Sequence, residues 1–369
     1  PEVAYHRAFV RERLGEDARA DYAAASRLST RYAFPNRAET LPVLRRALEV
    51  DPGDATARLL LGSLYLSGGR TEDATREWQE ARRLGARLPA LHRNLGRTLM
   101  HGGDDEGALA VFLEGLSSDP GNVDLYVGAD QALAALGRAP AERVAALQRF
   151  PGAAPAPLVQ RLALALAEAG RAEEAQALLA RSFFAREEGG TNVRQVWVDV
   201  RLLHALALAR AGRHREALAV VEGLGSAVPG VAFTADGLAP FVGSARVQYA
   251  AGEVAALAGD AAAARAHWQA AVRAGEGPRA LPWAGAAARR LGRDEAGGRA
   301  RLEKAAAEAD RLVEQGTRSG QVLYASGLVL RALGREDLAR ERFRAALLAP
   351  DQQLSHYLAG RALRQAEPF

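Results

Sequence analysis

Ser67-Gly68-Gly69-Arg70 is followed 34 residues later by His101-Gly102-Gly103-Asp104. The same short turn then returns as Leu136-Gly137-Arg138, Ala169-Gly170-Arg171, Ala211-Gly212-Arg213, Ala258-Gly259-Asp260, Leu291-Gly292-Arg293 and Leu333-Gly334-Arg335. The central glycines, 69, 103, 137, 170, 212, 259, 292 and 334, are spaced by 34, 34, 33, 42, 47, 33 and 42 residues. A glycine that closes a helix adopts positive φ at little cost, and the residues after it open the next helix. The chain therefore reads as a succession of helical hairpins, with almost no β-structure expected.

The flanks repeat with the turns. Leu61, Gly62 and Tyr65 precede the first turn, and Ala74, Trp78 and Ala81 follow it. One period on, Leu95, Gly96 and Leu99 are matched by Ala108, Phe112 and Gly115. The last repeat has Gly327, Leu330, Ala339, Phe343 and Ala346. The small residues let two antiparallel helices approach closely, and the large one fills the space between hairpins. Asp51-Pro52-Gly53 and Asp119-Pro120-Gly121 separate repeats two periods apart, so Asp54 and Asn122 are expected to cap the helices that follow.

A 34-residue helix–turn–helix period resembles the tetratricopeptide repeat, or TPR. The expected fold class is all-α: a TPR-like α-solenoid, a right-handed superhelix of antiparallel hairpins. The expected organisation is an N-terminal helical segment and linker over 1–37, a solenoid of about eight hairpins over 38–350, and a capping helix over 351–369. Inserted loops are expected near 182–196 and 223–243, whereas the step from Gly292 to Gly334 lengthens helices, with Glu303 to Glu314 continuous. Ala4 to Ser29 reads as one or two helices without a clear turn, packed on an incomplete repeat at Ala38 to Val50, their far side left to meet a preceding domain. In the terminal helix Tyr357, Leu358 and Leu363 form the inward stripe, with Arg361 and Arg364 facing away.

Tyr32-Ala33-Phe34-Pro35-Asn36-Arg37, Leu44-Arg45-Arg46-Ala47-Leu48, Arg93-Asn94-Leu95-Gly96 and Arg181-Ser182-Phe183-Phe184-Ala185-Arg186-Glu187-Glu188-Gly189-Gly190 carry a closer resemblance. With them the chain resembles the C-terminal TPR region of large bacterial proteins whose N-terminal half is an uncharacterised, mutarotase-like domain. That family usually has an aromatic residue before Glu-Gly-Gly, where this chain has Arg186-Glu187. The resemblance implies a scaffold half of a longer protein and assigns no activity to any residue.

Composition narrows the function. With 369 residues, 49% of them hydrophobic, the chain can bury a large core. It has no Cys, which removes disulfides, thiolate metal sites and a Cys nucleophile, and is compatible with a reducing compartment. No signal peptide is visible, so the expected location is the cytoplasm. A net charge of +4 spread over the chain is no nucleic-acid footprint, and no run of 18 apolar residues marks a membrane span. Phosphate-loop, zinc-protease and serine-hydrolase motifs are absent. His92 and His101 read as solvated or helix-end side chains, His204 as buried and hydrogen-bonded, and Glu187-Glu188 as the solvated part of a loop. No catalytic, cofactor or metal site is expected.

What remains is a binding face. In a TPR the first helix of each hairpin lines the concave side, which selects Arg93, Arg97, His101, Gln131, Gln160, Arg246, Tyr249, Glu253, Tyr324 and Arg331 as groove candidates. Arg93 and Arg97, at i and i+4, share a helix face and suit an acidic segment or a carboxylate terminus. The expected function is a non-catalytic scaffold that binds a protein or peptide, an acidic one for preference, or its own upstream domain. A homo-oligomer through the N-terminal edge is an alternative arrangement. The alternative function is an accessory part of a carbohydrate-active enzyme with its chemistry upstream.

Overall fold

A computed structural model of the chain describes residues 1–30, 33–86, 88–182, 184, 193–226, 237–275, 280–292, 295–349 and 354–364. Among the described residues the regular elements are helices and no strand occurs. The chain divides into two compact units, Pro1–Ala132 and Leu133–Phe369.

The first unit contains α1 (Glu2–Arg13), α2 (Arg19–Ala25), α3 (Thr40–Val50), α4 (Ala55–Ser67), α5 (Thr71–Arg83), α6 (Pro89–His101), α7 (Asp105–Ser118) and most of α8 (Val123–Ala135). Local chemistry sets the boundaries. Asp54 caps α4 by accepting a hydrogen bond from the Ala57 amide at 2.9 Å, and Asp104 caps α7 through the Gly107 amide at 2.8 Å. Pro89 occupies the first turn of α6, where its missing N–H is not needed. All eight glycines of the repeated turn have φ between 65° and 84°. At Gly69 the chain closes α4 with the Arg70 amide donating to the Tyr65 carbonyl at 2.8 Å, the six-to-one bond of a left-handed helix end.

Packing follows the small–large alternation. Trp78 of α5 is fully buried over Gly62 of α4, and its indole N–H donates to the Leu59 carbonyl at 3.1 Å. Phe112 of α7 lies against both Gly96 of α6 and Gly128 of α8; a Cβ at either glycine would come within 2.5 Å of the ring. The N-terminal helices continue this core. Tyr5 and Ala8 of α1 are buried with Val43, Leu44 and Ala47 of α3. The Tyr5 hydroxyl donates to Asp54 at 2.7 Å, and Arg46 of α3 pairs with Glu12 of α1 at 2.6 Å. Contrary to the sequence reading, a glycine turn does organise this segment: Gly15, at φ 87°, closes α1 just ahead of α2. Val3, Val10 and Leu14 stay exposed on the outer side of α1.

The second unit contains the end of α8 and then α9 (Pro140–Leu147), α10 (Ala156–Glu168), α11 (Ala172–Arg181), α12 (Val193–Arg210), α13 (His214–Glu222), α14 (Ala239–Val242), α15 (Ala245–Leu257), α16 (Ala261–Arg273), α17 (Leu281–Arg290), α18 (Glu295–Glu314), α19 (Gly320–Ala332), α20 (Glu336–Leu348) and α21 (Leu354–Arg364). The glycine–aromatic contact returns as Gly252 against Trp268 and Gly327 against Phe343. Of the stretch read as a loop over 182–196, Val193–Val196 belong to α12. The stretch 223–243 holds a 3₁₀ turn at Gly223–Gly225 and the short α14. Residues 185–192, with Glu187 and Glu188, and residues 227–236 lie outside the described residues.

The terminal helix departs furthest from its sequence reading. Ser355, His356, Leu358, Ala359, Arg361, Ala362 and Leu363 of α21 are all buried. Arg361 is 4% exposed, and Arg364 donates to Glu168 at 2.6 Å and to the Ala134 carbonyl at 3.0 Å. Neither arginine faces away: Arg361 is buried, and acceptors on α8 and α10 meet Arg364 on the side of α21 that the amphipathic pattern assigns to water. The side chain of Tyr357 lies outside the described residues.

Candidate functional site: an inner groove of the first unit

The first unit carries a groove of about 870 Å³ lined by α4, α6, the start of α8 and the segment after α2. From α4 come Thr56, Leu59 and Ser63, and from α6 Ala90, Arg93 and Asn94. These are residues of the first helices of successive hairpins. On α6 Leu91, His92, Leu95, Gly96 and Met100 are buried, whereas Arg93, Asn94, Arg97 and Thr98 are half-buried. Arg93 and Asn94 thus face the groove, and Arg97 and Thr98 continue the polar side of a helix whose other side is locked on Phe112.

Arg93 donates to Asn94 Oδ1 at 3.2 Å and pairs with Asp124 at 3.4 Å. That ion pair is long, and the Asp124 side chain is 56% exposed, so water screens it and a ligand carboxylate can replace it at little cost. Arg97 follows one turn on. Burial, and then the like charge of Arg93, hold its pKa below the usual arginine value. Two guanidiniums of one sign beside each other favour an anionic ligand. His101 is exposed at the end of α6, and Gln131 on α8 is buried. His92, read from sequence as solvated or at a helix end, is instead fully buried, with its ring nitrogens 3.0 Å from the Leu88 carbonyl and 3.4 Å from Glu114.

The sequence reading missed other lining residues: Arg27, Ser29, Thr30 and Phe34 after α2, and Asn122 before α8. Phe34 is 66% exposed. An aromatic beside Pro35 in a segment with no helical period is the signal that marks it. Asn122 accepts from the Leu125 amide at 3.3 Å, so its cap leaves the side chain in the groove wall.

The candidates of the second unit have a different setting. Gln160 on α10 is buried. Arg246 on α15 forms a short ion pair with Asp199 of α12, itself 1% exposed. Tyr249 packs on Trp283 with ring centroids 5.9 Å apart, and Tyr324 on Phe343 at 5.8 Å. Glu253 pairs with Arg290 at 2.6 Å. Arg331 pairs with Glu336 at 2.6 Å and stacks over Phe343. These six side chains are engaged within the unit rather than displayed in an open groove. Asp199 escaped the sequence reading, although a lone acid inside Val196-Trp197-Val198-Asp199-Val200 signals a buried ion pair. His204 is half-buried, 3.4 Å from Gln176. Among the described residues no group of three or more His, Cys, Asp and Glu could hold a metal ion, and no helix is long and apolar enough to cross a membrane.

A tetratricopeptide-repeat family model matches residues 32–85 and 68–123, a span that includes α4 and α6 and hence the groove's central walls. No curated protein matches the chain. Among solved structures it is similar to YrrB, described as a TPR protein with an unusual peptide-binding site, at 18% identity over 63% of this chain and 91% of that one, TM-score 0.35. It is also similar to a tetratricopeptide repeat protein from Parabacteroides merdae ATCC 43184, at 14% identity over 75% and 98%, TM-score 0.45. A third is PilF of Pseudomonas aeruginosa, at 17% identity over 60% and 92%, TM-score 0.37. The chain carries TPR repeats and its fold is all-α and TPR-like.

Proposed function

We propose that this chain is a non-catalytic interaction scaffold whose first unit holds an extended, carboxylate-bearing peptide against α4, α6 and the start of α8. The observation that carries the reading is the polar side of α6: Arg93 and Asn94 line the open groove, and Arg97 follows one turn on along the same helix face. The guanidiniums bind carboxylates by charge-assisted hydrogen bonds. Asn94 on α6 and Ser63 on α4 offer an amide and a hydroxyl to the peptide main chain, which has a donor and an acceptor at each residue to satisfy. Ala90 and the exposed Phe34 supply the apolar contact that an extended segment also needs.

The test is a fluorescein-labelled peptide rich in Asp and Glu, titrated with the full chain and followed by anisotropy. A Lys-rich peptide of the same length is the control. The acidic peptide binds, more weakly as salt rises, and Arg93→Glu/Arg97→Glu lowers its affinity by about a hundredfold, two charge-assisted contacts being lost. Equal affinity of the double variant and the wild type overturns the proposal.

A further inference from the structure

In the first unit the inner face is a groove, whereas in the second the corresponding face is covered by α21. The partners of α21 identify that face. Arg364 reaches the Ala134 carbonyl on α8 and Glu168 on α10; Arg161 of α10 meets His356 at 3.4 Å; and the Arg361 charge acts on Asp199 of α12 and Tyr324 of α19. These four helices are each the first of a hairpin. Their burial agrees: Ala163, Leu164, Ala165, Leu166 and Ala167 of α10 are consecutive and all buried, which a helix with one open face does not show.

The acid that receives Arg364, and Asp199 near Arg361, are each also held by another cation of the unit. Glu168 pairs with Arg143 at 3.2 Å as well as with Arg364 at 2.6 Å. Asp199 pairs with Arg246. When α21 leaves, neither carboxylate is stranded without a counter-charge, so the face stays organised for a replacement. A purely structural helix needs no such reserve. Bare buried carboxylates would make its departure prohibitive.

We propose that α21 is an exchangeable occupant of a second recognition face, one that takes a partner helix with two arginines a turn apart, spaced as Arg361 and Arg364, preceded by a small residue such as Gly360. The face reads arginines through Glu168, the opposite charge preference to the groove of the first unit, and it stands independently of the function proposed for that groove.

The experiment uses the full chain. Native-state hydrogen exchange compares α21 with α19 and α20, and α21 is expected to exchange at least about tenfold faster, as a unit that opens by itself. A fluorescein-labelled peptide of sequence Leu354–Arg364 then reports access to the face. Ala134→Cys/Gly360→Cys provides a lock: a Cβ on Gly360 would lie 2.9 Å from that of Ala134, nearer than the roughly 3.5–4.5 Å a disulfide spans, so bridging needs only a small outward shift of α21, and the chain has no cysteine of its own. The peptide is expected to bind the reduced lock variant at least about tenfold more tightly than the oxidised one, and to lose binding when both of its arginines become Glu. Arg364→Ala in the full chain should strengthen peptide binding by opening the face; if that variant fails to fold, the lock comparison decides alone. Exchange of α21 in step with α19 and α20, or equal peptide binding by the oxidised and reduced variants, overturns the proposal.

Discussion

The ring of Phe112 occupies the space that a side chain on Gly96 would need: a Cβ there would stand 2.5 Å from the ring edge. This contact sets the spacing of α6 and α7, and so fixes the polar stripe of α6 in the groove. Phe112→Ala should destabilise the first unit by about 3–5 kcal/mol, as for large aromatic truncations in cores. Gly96→Ala should destabilise it by about 1–3 kcal/mol through overpacking, despite alanine's better helix propensity. In the Phe112→Ala background the sign should reverse, because the added methyl enters the vacated space. Urea denaturation of the two single variants and the double variant measures the coupling. Strict additivity would show that the ring and the glycine do not constrain each other.

Asp54 serves two neighbours. One oxygen caps α4, and the other accepts the Tyr5 hydroxyl of α1 at 2.7 Å. Burial pushes the pKa of both the Tyr5 phenol and the Asp54 carboxyl upward. Tyr5→Phe leaves that oxygen short of a donor and should lower stability by about 1–3 kcal/mol. Asp54→Ala removes the cap as well, so its effect should be larger. Equal and negligible effects in thermal unfolding would mean that α1 is not anchored through this bond.

In the second unit, burial pushes Asp199 up to about 6, against the opposing pull of Arg246 and then Arg361. Between its unperturbed 3.8 and about 6 the folded chain keeps a proton that the unfolded chain has released. The contribution of this group to stability is therefore highest below 3.8, falls as pH rises through that window, and levels off above about 6. Asp199→Asn should remove that slope. Tm measured against pH for both proteins should give a difference that changes inside the window and is flat above it; parallel curves throughout would contradict the assignment.

The repeat was legible because its signals are local. A glycine at positive φ, a side-chain cap and a glycine–aromatic pair each leave a residue at a fixed offset, as Gly103, Asp104 and Phe112 do. Arg93 and Arg97 were legible as a stripe for the same reason, since four residues bring them to one face. The placement of α21 was not. Arg361 and Arg364 look like the outer side of an amphipathic helix, and the acceptors of Arg364, Glu168 and Ala134, lie 196 and 230 residues away from it. A signal for it existed in α10, where Leu162-Ala163-Leu164-Ala165-Leu166-Ala167 leaves no polar stripe of the kind α6 shows. An inner helix apolar all round requires something over its open side. Phe34 has no helical period to place it on a face, so only its position beside Pro35 between periodic segments marks it.

A hydrogen-exchange footprint of the acidic peptide on the full chain, recorded with the wild type and with Arg93→Glu/Arg97→Glu, locates the bound peptide. Slower exchange is expected only in α4, α6 and the start of α8 of the wild type, with no slowing in the double variant. Protection confined to α5 and α7, the second helices of their hairpins, or a footprint unchanged by the double substitution, would contradict binding in the groove.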